Sequence, residues 1–179
     1  MDRLSLTQAA RALGVPQHRL IHLCEKRVVV PDLADARGRG SSRGFSRRNL
    51  FEFAVALELR RLQLPVGTVQ AVLQVVRVFE GATQSTLPAF ALPDSLVGSQ
   101  SLQVTVLLID GQRLYFSIAK KRTHPTILGG VALPKRGQRV RKTGRPRRLS
   151  QAEARRLVDT ARTVTEVNLT RIAEGLPVP

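Results

Sequence analysis

The chain has 179 residues, which is enough for one ordinary domain or two small ones. Its formal charge of +16 makes nucleic acid the first partner to consider and an acidic membrane surface the second. Apolar residues make up 42% but aromatic residues only 4%, so we expect an aliphatic core, and the one cysteine excludes both an intramolecular disulfide and a cysteine-built zinc site.

The positive charge is unevenly distributed along the chain. Residues 135–148, KRGQRVRKTGRPRR, hold eight lysines and arginines and no acidic residue, which is half of the excess charge. Such a run without apolar periodicity is typical of a solvated linker or arm. The sequence contains no run of 18 apolar residues and no apolar signal-peptide region, so we predict a cytoplasmic, nucleoid-associated protein with no membrane partner.

The first part of the chain predicts two short helices joined by a tight turn. Ser5 and Gln8 form a capping box ahead of the first helix, and Gly14 ends that helix. A proline then suits the first turn of a second helix, 17–26, whose inward positions are Leu20, Leu23 and Cys24. The run VVVP at 28–31 favours a short edge strand.

A basic segment and two more helices follow. The stretch ARGRGSSRGFSRRNL, 36–50, holds five arginines and three glycines without an acidic residue. Ser46 is the expected N-cap of a third helix that LQLP ends, and a fourth helix comes next. Because Val72, Val75 and Val78 lie off its main apolar stripe, the fourth helix needs two packing partners. One is the N-terminal domain, and the other is either the following segment or a second copy of the chain.

The remainder predicts a hairpin and a final helix. Two apolar, β-branched runs flank Asp110–Gly111, which is a strong hairpin signal. A lone hairpin is marginal in water, so we expect it to pack on a helix, on a further strand such as Ile127–Val131, or on a partner. Ser150 and Glu153 form a capping box that begins a C-terminal helix, 149–175.

The order of these parts resembles the N-terminal DNA-binding domain of the MerR-type winged helix-turn-helix regulators. The resemblance covers roughly residues 4–76, and the segments that carry it with matching spacing are LTQAARALGV at 6–15, RGFSRRNL at 43–50 and LRRLQLPVGTVQAVL at 59–73. It implies that helix 17–26 is a recognition helix in the major groove and that the loop 32–44 is a wing, with Arg43 contacting phosphate. It also implies a homodimer on a palindromic operator, with RNA polymerase as a further candidate partner.

The physical chemistry of the basic segment favours the same placement. Flexible glycines let backbone N–H groups and arginine side chains settle against phosphates, which arginine can bind with two parallel hydrogen bonds. Arg47 and Arg48 add positive charge to the partly positive start of the third helix, which costs roughly a few tenths of a kcal/mol unless an anion docks there. The alternative interpretation is a solvated basic loop without a binding role.

The second helix supplies the candidate base-reading residues. Glutamine can pair with the edge of adenine, and histidine can contact base or phosphate. His18 and His22 also have a metal-binding spacing, but no third ligand is evident, so we predict no metal site. TGRPRR at 143–148 resembles an AT-hook core, with a plain basic linker as the alternative. The predicted DNA-binding residues are Gln17, His18, Arg19, His22, Arg37, Arg39, Arg43, Arg47, Arg48, Arg145, Arg147 and Arg148.

The sequence offers little that predicts catalysis. Asp94 and Asp110 are isolated, His124 has no obvious nucleophile beside it, and no phosphate-binding glycine motif occurs. We therefore predict that the protein is not an enzyme and has no catalytic residue, no metal and no cofactor.

Together these patterns predict an α+β, mostly helical fold with an N-terminal winged helix-turn-helix, a small segment with a β-hairpin and a C-terminal helix. The predicted divisions are a DNA-binding domain at 1–80, a linker at 81–98, a hairpin segment at 99–134, a basic arm at 135–148 and the helix at 149–175. The predicted function is that of a sequence-specific transcription regulator that binds double-stranded DNA. The alternatives are an architectural, DNA-segregation or phage-type DNA-binding protein, and a protein-interaction adaptor.

Overall fold

The structure is a computed structural model that describes residues 3–33, 44–97, 102–120, 124–134, 138 and 147–177. This part of the chain contains seven helices and one antiparallel sheet of four strands, so the mixed α+β class is confirmed. The chain divides into two compact units, one formed by 1–70 with 175–179 and the other by 71–174. Within the described ranges, none of the helices is long and apolar enough to cross a membrane.

The first unit is helical. It contains α1 (Leu6–Ala12), α2 (Gln17–Glu25), α3 (Arg47–Arg61) and the beginning of α4 (Val66–Gln84). Both hydrogen bonds of the Ser5–Gln8 capping box are present, and the Ser46 side chain accepts from the backbone N–H of Asn49. The predicted starts of α1 and α3 are therefore confirmed. Helix α2 contacts both α1 and α3, so the buried side of α2 lies against its neighbours in the same unit.

The first three helices end in the same way. Each is followed by a residue with left-handed backbone, namely Gly14, Arg27 and Gln63, with φ of +63°, +52° and +61°. The next backbone N–H in each case bonds back to a carbonyl in the last turn of the helix, at 2.8–3.1 Å. These paired features define the Schellman motif, which satisfies carbonyls that the helix end would otherwise leave open.

The predicted edge strand at 28–31 is wrong. Val28 and Val29 are fully buried, but the N–H of Val28 bonds to the carbonyl of Leu23 at 2.8 Å and closes the end of α2. The residue after a left-handed helix terminus commonly packs an apolar side chain against the last helical turn. Val28 is buried for that reason, and the β-branched character of the run does not place it in a strand.

The second unit is built on the sheet. Its strands are β1 (Leu102–Ile109), β2 (Arg113–Lys120), β3 (Thr126–Ala132) and β4 (Val164–Asn168), in the spatial order β3-β2-β1-β4. The predicted hairpin is confirmed, with left-handed backbone at Asp110 and Gly111 in its turn. The further strand predicted around Ile127–Val131 is also confirmed, since it pairs with β2. The hairpin thus gains the additional strands that its stability requires.

Helices cover both faces of this sheet. On one face Leu107, Ile109, Tyr115 and Ile127 form a buried cluster against which side chains of α6 (Gln151–Thr160) pack. On the other face Phe116 stacks on Phe79 of α4, with ring centroids 4.0 Å apart and planes at 14°. The off-stripe residues Val72 and Val75 of α4 are buried as well. A packing partner for the sheet-side half of α4 therefore lies within the same chain.

The continuous helix predicted at 149–175 is wrong. The capping box of Ser150 and Glu153 does begin a helix, but that helix is α6, and it is followed by β4 and then by α7 (Leu169–Glu174). The carboxylate of Asp110 accepts the backbone N–H groups of Arg162 and Thr163 at 2.9 and 3.0 Å, which holds the chain where it turns into β4. The β-branched residues of β4 then pair with β1, and Val167 is buried there. Tertiary pairing thus overrides the helical pattern of this segment.

The helix ends allow a direct test of backbone strain. A methyl group added at Gly14 would meet no atom within 4 Å, so Gly14→Ala should cost only the strain of a left-handed alanine and lower the free energy of unfolding by about 1 kcal/mol. Gln63→Gly should raise it by roughly 0.5 kcal/mol, because glycine adopts the left-handed conformation without strain. Urea denaturation of both variants measures the two changes, and an unchanged midpoint for Gly14→Ala would argue against the left-handed terminus of α1.

Candidate nucleic-acid interface

Helix α2 presents polar side chains along its solvent side. Gln17, His18, Arg19 and His22 are all exposed, whereas the opposite side of the helix buries its apolar residues, Leu20, Leu23 and Cys24. The inward positions predicted for this helix are therefore confirmed. The four exposed residues predicted to bind DNA lie on one continuous surface, and all four carry side chains that can pair with base edges or phosphate.

Gln17 is oriented by the neighbouring helix α1. The hydroxyl of Thr7 in α1 donates to Oε1 of Gln17 at 3.3 Å. An amide oxygen has a second lone pair, so this contact leaves Gln17 able to accept another hydrogen bond while its amide group donates. A glutamine held in this way meets the donor and acceptor requirement for pairing with the edge of adenine.

Backbone hydrogen bonds join the chain segments on either side of the basic loop. Leu33 and Gly44 are joined by a backbone hydrogen bond of 3.4 Å, and Leu4 pairs with Phe45 through two bonds of 2.9 Å. The ring of Phe45 is buried and lies 5.3 Å from that of Phe53 in α3. Residues 34–43, with the predicted DNA-binding residues Arg37, Arg39 and Arg43, lie outside the described residues. The two ends of this segment are nevertheless fixed at the edge of the first unit.

A buried hydrogen-bond network holds these ends against α3, and we call it the Asn49 network. Asn49 is 2% exposed; its Oδ1 accepts the backbone N–H of Asp32 at 3.0 Å, and its Nδ2 donates to the carbonyl of Val30 at 3.0 Å. The Asp32 carboxylate in turn accepts from the backbone N–H of Ser46, at 3.2 Å, and from its hydroxyl. The segment before the loop is thereby bonded to the segment after it.

The network continues into the start of α3. Asn49 Nδ2 also donates to Glu52, which is only 5% exposed, at 3.3 Å, and Nε of Arg48 lies 3.8 Å from the other carboxylate oxygen of Glu52. Arg47 donates to the carbonyl of Pro177 at 3.3 Å. The two arginines therefore have internal contacts as well as their predicted role towards DNA, and the buried carboxylate compensates part of the charge at the helix start.

Sequence reasoning missed the residues that position this surface. Asp32, Asn49 and Glu52 were not singled out, although the Asn-x-x-Glu spacing places the last two on one side of α3. Arg3 was also missed: a Cβ added at Gly44 would lie 2.6 Å from Nε of Arg3, so this guanidinium lies directly over the end of the basic loop. The sequence separation of Arg3 and Gly44 leaves no local pattern from which the contact could be read.

The basic arm returns to the sheet at its C-terminal end. Backbone hydrogen bonds join Gly129 to Arg147 at 3.0 Å and Leu149 to Ile127 at 2.9 Å, and Arg148 forms an antiparallel bridge with Leu128. The chain thus leaves β3 after Ala132 and comes back alongside the same strand. The arm residues 135–137 and 139–146, including Arg145, lie outside the described residues.

The last arginines of the arm differ in their surroundings. The Arg147 guanidinium pairs with the carboxylate of Glu153 in α6, whereas Arg148 is exposed on the edge of the sheet. Hydrogen bonds from the backbone N–H and hydroxyl of Ser150, followed by the charge of Arg147, hold the pKa of Glu153 below its usual value. Glu153 is therefore ionised at neutral pH and keeps Arg147 at the base of the arm.

Neither a metal site nor the comparison with known proteins assigns a function to the described residues. Among the residues that the structure describes, no group of three or more histidine, cysteine, aspartate or glutamate side chains is arranged to hold a metal ion. No protein-family model matches the sequence, and no curated protein matches it either.

The Asn49 network predicts a large loss of stability when its centre is removed. Asn49→Ala removes the partner of the Val30 carbonyl and of the Asp32 N–H and one of the partners of the buried Glu52 carboxylate, so the free energy of unfolding should fall by about 2 to 3 kcal/mol. Asn168→Ala is the matched control, because Asn168 is exposed and caps α7 through one bond to Arg171, and it should cost about 1 kcal/mol. Equal losses in a urea titration would contradict the proposed importance of the network.

Proposed function

We propose that the protein is a sequence-specific transcription regulator that binds double-stranded DNA through a MerR-like winged helix-turn-helix. In this proposal α2 is the recognition helix and the segment 32–44 is the wing. The observation that supports it is the exposed polar side of α2, with Gln17, His18, Arg19 and His22. The same unit holds the basic loop, whose flanking residues are joined by backbone hydrogen bonds. A tight turn with left-handed backbone at Gly14 joins α1 to α2, as a helix-turn-helix requires.

The loop, the arm and α2 have different proposed roles, which follow from the chemistry of their side chains. Arginines of the loop and the arm bind phosphate and supply affinity that weakens with salt, since each phosphate contact releases counterions. Side chains of α2 read base edges and supply sequence preference. Arg3, which lies over Gly44, and Arg148, which is exposed on the sheet edge, are candidate phosphate contacts at the ends of the loop and of the arm.

The proposal includes a homodimer and a nucleoid location. A single small recognition module binds DNA weakly, and two copies on a palindromic site double the contacts. RNA polymerase is a further candidate partner of a regulator bound in this way. The protein acts in the cytoplasm, where the DNA is located, and requires no cofactor for binding.

An architectural DNA-binding protein is the second candidate function. The observation that favours it is the concentration of eight basic residues in the arm, 135–148, whose end is fixed to β3. Such an arm adds charge without base contacts and suits recognition of groove shape. Nuclease footprinting separates the two functions, because a regulator protects a short specific site and an architectural protein protects extended DNA.

Selection of bound sequences from random duplexes tests the role of α2. Wild-type protein should enrich a defined site, and Gln17→Ala should change the preferred base at one position, with a loss of about 1 to 3 kcal/mol on the original site. Lys26→Ala is the control, because Lys26 ends α2 outside the predicted binding surface and should leave the preference unchanged. Identical preferences for wild type and Gln17→Ala would contradict base reading by this residue.

The salt dependence of binding tests the basic loop and the arm. Arg43→Ala should weaken binding to all sequences and reduce the slope of log K against log salt by about one. Deletion of 135–148 should reduce the slope by several units, because the segment holds eight basic residues. Arg11→Ala, at an exposed position of α1 outside the predicted surface, is the control, and a slope change equal to that of Arg43→Ala would contradict a specific phosphate contact.

A further inference from the structure

A groove with an apolar floor runs beside the exposed side of α2. It lies between the start of α2 and the second half of α3, entirely within the first unit, and has a volume of about 770 Å³. Its floor is formed by apolar side chains, most of them half-buried: Leu13, Val15, Leu23, Ala54 and Leu57. An apolar concavity of this size on the surface of a strongly charged unit is a feature that binding sites share.

Arginines flank this floor on two sides. Arg19 of α2 lies on one side, together with His18 and His22, and Arg60 of α3 lies on the other side. Glu58 is also on the rim, but Arg61 donates to both of its carboxylate oxygens at 2.7 and 2.9 Å, and this hydrogen bonding lowers the pKa of Glu58. Since the Glu58–Arg61 pair is neutral as a whole, the rim keeps a net positive charge.

The apolar floor and the positive rim together limit which kind of molecule can bind in the groove. A DNA backbone can meet the rim arginines, but its phosphates gain nothing from an apolar floor. Two basic segments of this chain, 34–43 and 135–146, have net charges of +2 and +6 and would be repelled by the rim. A second copy of the chain carries +16, which opposes docking at this rim, so the proposed homodimer contact lies elsewhere. The matching occupant has apolar side chains on one side and acidic side chains around them.

We propose that the groove binds an acidic amphipathic helix of a partner protein and that this helix competes with DNA for the α2 surface. An amphipathic helix presents apolar residues at i, i+3 and i+7, so one side of it can cover an apolar floor between two helices. Its flanking carboxylates meet Arg19 and Arg60 across the floor. The competition rests on the proposed function, because His18, Arg19 and His22 belong to both surfaces. Such a partner releases the protein from its DNA.

Fluorescence anisotropy with a designed peptide tests the docking. The probe is a labelled peptide of about 16 residues with leucines at i, i+3 and i+7 and glutamates around them. It should bind the full-length protein about tenfold more tightly than a scrambled peptide of the same composition, in which the apolar stripe is lost. Equal binding of the two peptides, or no binding, would overturn the proposal.

Matched variants show whether the peptide occupies this groove. Arg60→Glu reverses a rim charge and should weaken peptide binding about tenfold, whereas Arg11→Glu, the same change on α1 outside the groove, should alter it less than about twofold. Ala54→Gln places a polar group on the floor and should weaken binding by a similar factor. Circular dichroism and thermal unfolding exclude loss of fold. Equal effects of Arg60→Glu and Arg11→Glu would place the peptide elsewhere and overturn the assignment.

A displacement experiment tests the competition. Unlabelled mixed-sequence duplex of about 30 base pairs should release the peptide at low salt, and the peptide should release labelled duplex in the reverse experiment. If the protein binds duplex and peptide together, the competition is wrong. If it binds the peptide in the groove but no duplex, the proposed DNA-binding function and the competition fail while the docking site stands.

Discussion

The buried side chain of Asn49 is the constraint on which the candidate interface depends. Polar groups removed from water must find partners within the protein, and the amide of Asn49 satisfies the backbone on the near side of the basic loop and a carboxylate of α3 at once. Asp32 and Ser46 complete the connection to the far side. These hydrogen bonds fix the described residues on either side of the segment 34–43 against α3.

The net charge of this protein differs from the charge that can bind a polyanion directly. The chain carries +16, but Arg48, Arg61 and Arg147 each lie against a glutamate of the same unit. A paired arginine adds little to the long-range field that attracts a polyanion, because its glutamate cancels its charge, and it must leave that glutamate to bind a phosphate. The strongest electrostatic contribution is thus expected from basic residues whose partners are phosphates.

In the proposed competition, the groove beside α2 connects DNA binding with regulation. Shape and apolar surface there favour a protein helix, and the charge around it favours any polyanion. A surface that attracts two chemically different acidic partners can be switched by the concentration of either, because the two share arginine and histidine side chains. The second unit takes no part in this competition as proposed, and its sheet serves to hold the ends of the basic arm at β3.

Local chemistry in the sequence determined the helix starts, the hairpin and the buried side of α2. Capping at Ser5, Ser46 and Ser150 and the Asp110–Gly111 turn depend on residues close in sequence, so they could be recognised without the fold. The overall charge and the exposed side of α2 were predictable for the same reason.

Only the tertiary structure decided the features that depend on distant residues. β4 forms because β1 offers it a pairing edge. The contact of Arg3 with Gly44 and the groove between α2 and α3 join residues far apart in sequence. Hydrogen bonding and burial between such segments arise only when the chain has folded, and no local pattern encodes them.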